Sequence, residues 1–390
     1  MIPWWKVKRE TVRLREQSAA WLSNLYEPFL QKRHDRWRER QPQPADLGVA
    51  LDRKVAIFLI YQPKGVAPSI LVTLQWLVDN GYAPLVVANT PLSDQDRARV
   101  SPLAWRIFER PNFGYDFGGY RDGILLLSAW GLVPDRLLII NDSVWMPLRQ
   151  DSTLIARLEA MDADLVGGIQ HTDNKNSSGK VRRGHIESYL YLLNSRAVRS
   201  QGFQAFWKNY PVSSNRLNAV RRGERQFTHL MHVAELKVCG IFSKQVFLDG
   251  ISDQDDDFLW RTLLYGSYVE TYLRQERDDL VKQEVSAPGW RDAALRHIKR
   301  TADRRRFNAC FAYPSDALLG MDFMKKSAGS TGDGGASLHS RLRQQLLQAV
   351  AAGDLPPLAP AVHAEIYEKD YDITGSRLKS EIAPASVGRT

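Results

Sequence analysis

Two stretches of this chain offer the residue types that bind a polar, phosphorylated ligand: Asn112-Phe-Gly-Tyr-Asp-Phe-Gly-Gly-Tyr120 and, about one helix-length later, Asn141-Asp142-Ser143. Gly114, Gly118 and Gly119 admit positive φ or close backbone approach to a ligand, and Asp116 adds a carboxylate. The spacing is neither the dinucleotide GxGxxG nor the P-loop. The first stretch therefore reads in one of two ways. Either Asn112, Gly114 and Asp116 hold the base or sugar of a nucleotide, or the segment is a tight turn with Asp116 capping a helix. Asp142 follows the apolar run 137 to 140, and one carboxylate suffices for a hard divalent ion whose other ligands are diphosphate oxygens and water. Asn141, Asp142 and Ser143 are equally good capping and turn residues, and both readings stay open.

Further along, Glu224 follows Arg221-Arg222-Gly223 and opens a helix, where the dipole keeps it ionised. An ionised glutamate can act as general base toward a hydroxyl, although first helical turns are rich in glutamate anyway. His185, Glu187 and Tyr189 share one face if 185 to 193 is a strand, either binding an acceptor hydroxyl or forming a polar surface row. Lys180, Arg182 and Arg183 lie in a polar loop, Thr172 to Gly184, that reads as a lid able to close over a diphosphate. His229 and His232 share a helix face but lack a third ligand, and Asp255-Asp256-Asp257 reads as a solvated turn rather than a metal site.

Positioning these residues takes an alternation of strands and helices. Val55 to Tyr61 reads as strand, Ser69 to Asn80 as helix stopped at Gly81, and Leu85 to Ala88 as the next strand. Trp105 to Arg110, Leu137 to Ile140, Leu165 to Ile169 and Ser188 to Leu193 read as further strands. Gly118 to Trp130, Leu154 to Met161, Phe203 to Tyr210 and Gln226 to Leu236 read as helices, the last ended near Gly240. Such alternation predicts an α/β fold with a mostly parallel sheet flanked by helices and right-handed crossovers. In such sheets ligands bind beyond the carboxyl ends of the strands, where Asn141 to Ser143 would stand. The expected organisation is a basic, Trp-rich helical extension with a Pro linker over 1–45, a catalytic domain over 46–285, and a basic, helical, partly flexible region over 286–390. That region includes a Gly- and Ser-rich linker at Ser327 to Ser337 and a helix near 338 to 352.

With 390 residues, 44% of them hydrophobic, the chain can bury a large core. Cys239 and Cys310 are too few for a disulfide framework or a cysteine-ligated zinc site, and a reducing cytoplasm fits. No run approaches the roughly eighteen apolar residues of a spanning helix, and Met-Ile-Pro-Trp-Trp-Lys lacks a signal peptide's apolar core. The net charge of +9 is concentrated, with ten Lys or Arg against five acids in residues 1 to 40 and a second basic run from Arg291 to Arg306. No nucleic-acid recognition spacing accompanies these segments. An anionic membrane surface is the other anionic partner to weigh, since Trp4, Trp5, Trp21 and Trp37 suit the headgroup layer. A helix packed on the domain through its Trp and Leu residues accounts for them equally.

Four ordered blocks resemble the rhamnan synthesis protein F family of glycosyltransferase-like proteins of bacterial surface polysaccharides. These are 112 to 120 with Asp122-Gly123, Ile139 to Ser143, His185 to Asn194 leading to Phe203 to Trp207, and Glu224 before its helix; Trp260 with Leu263-Leu264 is a weaker fifth. The likeness covers about 55 to 275. It implies a GT-A-like fold whose Asp-x-Asp element, after a central strand, binds a divalent metal (Mg²⁺ or Mn²⁺) and the donor diphosphate. Asn141-Asp142-Ser143 takes that place, with Val144 where the second Asp would stand. It further implies a sugar, rhamnose by the family's name, moved from a nucleotide-sugar donor to a growing polysaccharide or lipopolysaccharide acceptor with inversion, Glu224 being the base. The enzyme would work in the cytoplasm, peripheral at the inner face of the plasma membrane beside a lipid-linked acceptor. The alternative is a non-catalytic GT-A-like module that binds saccharide or scaffolds an assembly complex.

Overall fold

The computed structural model describes residues 25–175, 181–327 and 337–374, with the side chains of 174–182, 216, 217, 220 and 370–374 left out. Two compact units emerge. One joins the residues up to Asp142 with Ile155–Ser243, and the other joins Ser143–Leu154 with the residues from Lys244 onward. No helix among the described residues is long and apolar enough to cross a membrane.

The first unit is built on a sheet of eight strands: β1 Lys54–Ile60, β2 Ala83–Ala88, β3 Arg106–Glu109, β4 Arg136–Asn141, β5 Leu165–His171, β6 His185–Ile186, β7 Leu190–Asn194 and β8 Val238–Ser243. Their order is β8-β5-β7-β4-β1-β2-β3, with β6 added on β5. Pairing is parallel throughout β4-β1-β2-β3 and between β8 and β5, while β7 runs antiparallel between β4 and β5. The expected mostly parallel α/β sheet is borne out. Continuous apolar runs such as Val55–Ile60 are buried on both faces, as a helix-covered parallel sheet requires.

The helix Tyr115–Ala129 lies directly on β1. A Cβ on Gly119 would sit 2.3 Å from Leu59 Cδ1, and one on Gly123 3.0 Å from Ile57 Cγ2. This corrects the boundary expected at Gly118 and the use expected for two of the glycines. The helix begins three residues earlier; Gly119 is needed for packing on Leu59, and Gly118 for room against the Phe113 carbonyl of the preceding loop. A second correction concerns Gly240, which does not end a helix but lies in β8. The preceding helix runs Glu224–Val233, and Gly240 admits Gln170, whose Oε1 accepts from the Gly240 N–H at 2.9 Å.

Residues 25–39 are helical and are joined to this unit by polar groups. Asp122 accepts from Arg110 Nε at 2.6 Å and Arg38 Nη1 at 3.3 Å, and lies 2.6 Å from His34 Nε2. Arg121 binds Asp35, and Gln31 bridges Tyr210 and Val212. The linker at 41 to 44 thus does not set this helix apart from the sheet. Trp37 packs on Phe108, with ring centroids 5.9 Å apart; Trp4, Trp5 and Trp21 lie outside the described residues.

Burial alone would raise the Asp122 carboxyl, but Arg110, then His34 and Arg38, hold it down at about 2. A lowered folded-state value means that the stabilisation is complete above the unfolded value near 4 and is lost as pH falls through about 2. Asp122→Ala leaves Arg110 buried beside a missing partner. It is expected to cost about 3 kcal/mol in urea unfolding at pH 7, with a smaller loss when wild type and variant are compared near pH 2.

The second unit is mainly helical, with Asp256–Leu264, Thr271–Lys282, Trp290–Arg304, Leu338–Ala351 and Pro360–Thr374, and a short antiparallel pair of Val144–Trp145 with Met324–Lys325. The acidic triplet starts one of these helices: Asp255 caps it by accepting from Phe258 N at 2.8 Å, and Asp256 pairs with Arg291. The Trp290–Arg304 helix buries Trp290 and Ile298 together with the smaller or polar Ala294, His297 and Thr301.

Candidate functional site

The end of β4 and the end of β1 are joined by Asp142. Its N–H donates to Leu59 O at 3.1 Å, and its Oδ2 accepts from the Tyr61 N–H at 2.7 Å and from Gln62 Nε2 at 2.6 Å. Of the two readings for Asn141 to Ser143, capping is thus realised across strands, on the chain leaving β1. Asn141 is the buried last residue of β4, Asp142 is partly exposed, and Ser143 is exposed as the first residue of the second unit.

Asp116 occupies the first turn of the Tyr115–Ala129 helix, which Gly114 opens in the left-handed region at φ 85°. A side chain at 114 would also collide with Val212 Cγ1 at 2.1 Å, so this glycine is required by local geometry whatever it binds. Asn112 is exposed in the preceding loop, which Arg110 braces by donating to Phe113 O at 2.6 Å. The Asp116 carboxyl is pushed up to about 7, first by desolvation, then by the neighbouring Asp142 and Glu224 carboxylates. Three acidic groups from three separate elements therefore share one electrostatic environment.

Glu224 is the first residue of its helix. Gly223 before it admits no side chain, because a Cβ would meet Phe117 Cδ2 at 2.5 Å and Ala219 O at 2.6 Å. That contact sets the start of the Glu224 helix against the residue following Asp116. Ser188 fixes the carboxylate, donating its hydroxyl to Oε1 at 2.6 Å and its N–H at 3.3 Å. His185 Nε2 lies 3.7 Å from Oε2, and the Glu224 side chain keeps 20% exposure. A carboxylate with one oxygen fixed and the group still reachable from solvent is arranged to accept a proton.

The expected strand over 185 to 193 is interrupted after Glu187: His185 and Glu187 both meet His171, whereas Tyr189 falls in the interruption and does not continue their face. Ile186 stands opposite Gln170 and Tyr191 opposite Gly167, so residues 187 to 190 face only 168 and 169. The surplus forms a bulge that aims Ser188 at Glu224, while Ser188 O accepts from the Tyr120 hydroxyl at 2.9 Å. Glu187, buried, meets His171 Nε2 at 2.8 Å; Tyr189 is buried too; the His171 and His185 rings lie 5.0 Å apart. Arg183 is exposed. Val181–Arg182 pairs with Asn174–Lys175 as a short antiparallel ladder, and Lys180 and the Arg182 side chain lie outside the described residues.

Ser188, His171 and Gln62 are site neighbours that sequence reasoning missed. His171 ends β5 and was open to the strand-end rule that found Asp142. Ser188 and Gln62 reach carboxylates 36 and 80 residues away, which no local spacing encodes. Among the described residues there is no group of three or more His, Cys, Asp or Glu that could hold a metal ion. The available donor set is the Asp142 and Asp116 pair, whose mutual repulsion a divalent cation carrying its own phosphate ligands would relieve.

Residues 85–261 match the model of the family described as Rhamnan synthesis protein F, bearing out the resemblance carried by the four blocks. An uncharacterized protein, y4gN, of Sinorhizobium fredii is 34% identical over 209 residues, which are 54% of this chain and 51% of that protein. The chain thus spans about half the length of this curated relative. Among solved structures, the mannosyltransferase PcManGT from Pyrobaculum calidifontis, in complex with GDP-Man and Mn²⁺, aligns over 93% of this chain and 96% of its own at 11% identity and a TM-score of 0.29. The glycosyltransferase GlyE of Streptococcus pneumoniae aligns over 48% and 44% at 8% identity and a TM-score of 0.24. Likenesses at those scores decide nothing, and the fold rests on the chain's own strand order.

Proposed function

We propose that this chain, matched over 85–261 by the rhamnan synthesis protein F model, is a GT-A-type glycosyltransferase that moves a sugar from a nucleotide-sugar donor to a bacterial surface-polysaccharide acceptor. The observation that carries this reading is the placement of three carboxylates: Asp142 follows the end of β4 and is held by Tyr61 and Gln62, Asp116 lies in the first turn of its helix, and Glu224, fixed by Ser188, opens a helix whose preceding Gly223 packs on Phe117, next to Asp116. Perturbed carboxyls gathered beyond parallel strands mark functional sites.

In the reaction Glu224 takes the acceptor hydroxyl proton, the acceptor oxygen attacks the anomeric carbon from the face opposite the leaving group, and the bond to the diphosphate breaks with inversion. Ser188 positions the base. Asn112 and Gly114 would contact the nucleotide, and Asn141 and Ser143, beside Asp142 in sequence, would contact the donor. Asp142, with Asp116 beside it, would hold a divalent ion, which when bound supplies positive charge to the leaving diphosphate. Lys180, Arg182 and Arg183 would add to that charge; His185, Glu187 and Tyr189 would shape the acceptor side. A lipid-linked acceptor would bring the enzyme to the inner face of the plasma membrane, and rhamnose is the donor sugar that the family's description suggests.

One observation favours the rival, a saccharide-binding or scaffold module without catalysis: Asp142 Oδ2 already serves Tyr61 and Gln62. The two readings part on donor binding. A transferase is expected to show a rise in melting temperature of about 2–4 °C with a matching nucleotide sugar near saturation, larger with Mg²⁺ or Mn²⁺ and reduced in Asp142→Asn. A screen in which saccharides shift the midpoint and no nucleotide sugar does so, with or without metal, would favour the module.

A further inference from the structure

The helix at 25–39 is turned inside out relative to an ordinary surface helix. Its inward stripe is polar: Glu27 accepts from Ser213 and Ser214, and Gln31, His34 and Arg38 are bonded as described above. Its outward stripe begins with large apolar side chains, Leu25 at 67%, Tyr26 at 55% and Phe29 at 72% exposure, and continues over the next two turns with the exposed Lys32, Arg33 and Arg36. At 100° per residue Leu25, Phe29, Arg33 and Arg36 fall within one quadrant, so the apolar and basic parts belong to one face. Water is a poor solvent for that apolar part, and the core, which already holds the opposite face, cannot cover it.

We propose that this outward face docks on a bilayer surface carrying anionic headgroups. Charge complementarity selects that occupant. An aromatic and aliphatic patch adjoining a cluster of cations on one helix face is the composition of helices that lie in the interfacial layer, their rings at headgroup depth and their Lys and Arg stems reaching phosphate. The exposed Glu39, which pairs with Arg38 at 3.7 Å, is the acidic residue at the edge of this face. The inference stands apart from the transfer reading, since vesicle binding needs neither donor nor acceptor.

Flotation of the full chain with vesicles tests it. Wild type is expected to float with phosphatidylglycerol-phosphatidylcholine vesicles, less so in high salt, and little with phosphatidylcholine alone. Arg33→Glu with Arg36→Glu is expected to lower partitioning at least about 30-fold, the factor to which two cations at about 1 kcal/mol each convert. Tyr26→Ser with Phe29→Ser should lower it comparably, with the melting temperature of both variants unchanged because these side chains leave the core untouched. Equal flotation with neutral vesicles, wild-type behaviour in both variants, or failure of wild type to float would overturn the proposal. So would a wild-type dimer in sedimentation that these substitutions dissolve while flotation is absent, since a second copy would then cover the face.

Discussion

Glu224→Gln is expected to lower the rate of sugar transfer about 10³-fold, within the range that a positioned general base contributes, while leaving the fold and the donor affinity in place. The geometry separates the two effects. Ser188 donates its hydroxyl and N–H to Oε1, and a glutamine carbonyl oxygen at that position accepts both. What disappears is proton affinity on a group beside His185. Single-turnover transfer and donor titration on the same preparation measure the two quantities. Unchanged transfer would remove the base assignment, and lost donor binding with lost transfer would mark Glu224 as a structural anchor. Ser188→Ala is the companion variant: a mobile carboxylate retains its chemistry, so a partial loss in rate is expected.

Asp116→Asn is expected to act in opposite directions on stability and binding. The folded carboxyl titrates near 7 against an ordinary 3.8, so the folded chain binds the extra proton between those values. Stability contributed by that proton is complete below about 4 and is lost as pH rises through about 7. Asparagine removes the penalty, and the variant is expected to gain up to about 4 kcal/mol above pH 7, less to the extent that water reaches this partly exposed group, and nothing near pH 4. Urea unfolding at pH 4 and pH 8 measures this. The same change removes a carboxylate electrostatically coupled to Asp142, and nucleotide-sugar binding in the presence of Mn²⁺ is expected to weaken about 10- to 100-fold, the scale for losing a supporting group of a metal site. A variant more stable at pH 8 that binds donor normally would show that Asp116 is a buried burden rather than a site residue.

Much of the frame that holds these groups was legible in the chain. β1, β2, β4 and β5 were readable because parallel strands covered on both faces are nearly continuous apolar runs, and Asp142 and Glu224 stood at the element ends where strand-end and helix-start rules look. The failures have physical causes. β8 was hidden because Leu236-Lys-Val-Cys-Gly-Ile-Phe continues the apolar pattern of the helix before it, and its glycine, required by Gln170, mimicked a helix stop. The Tyr115 helix was begun late because glycine is weighed as a helix breaker, whereas Gly119 and Gly123 gain close packing on β1. The polar inward stripe at 27, 31, 34 and 38 could not be told from solvent-facing polarity, since its partners lie about 80 to 190 residues away. What periodicity cannot supply is which distant group meets which, and that decides whether a carboxylate is a cap, a base or a metal ligand.

The bulge over 187 to 190 also governs how this chain can vary in length. Side chains alternate along a strand with period two, so gain or loss of one residue there, carried into β7, would exchange the two packed faces of Leu190–Asn194 and mismatch both. Gain or loss of two would leave each β7 side chain on its own face and change only how far Ser188 reaches. Length variants in this segment should therefore survive in even steps, and a two-residue deletion would yield a folded protein whose Glu224 has lost its support.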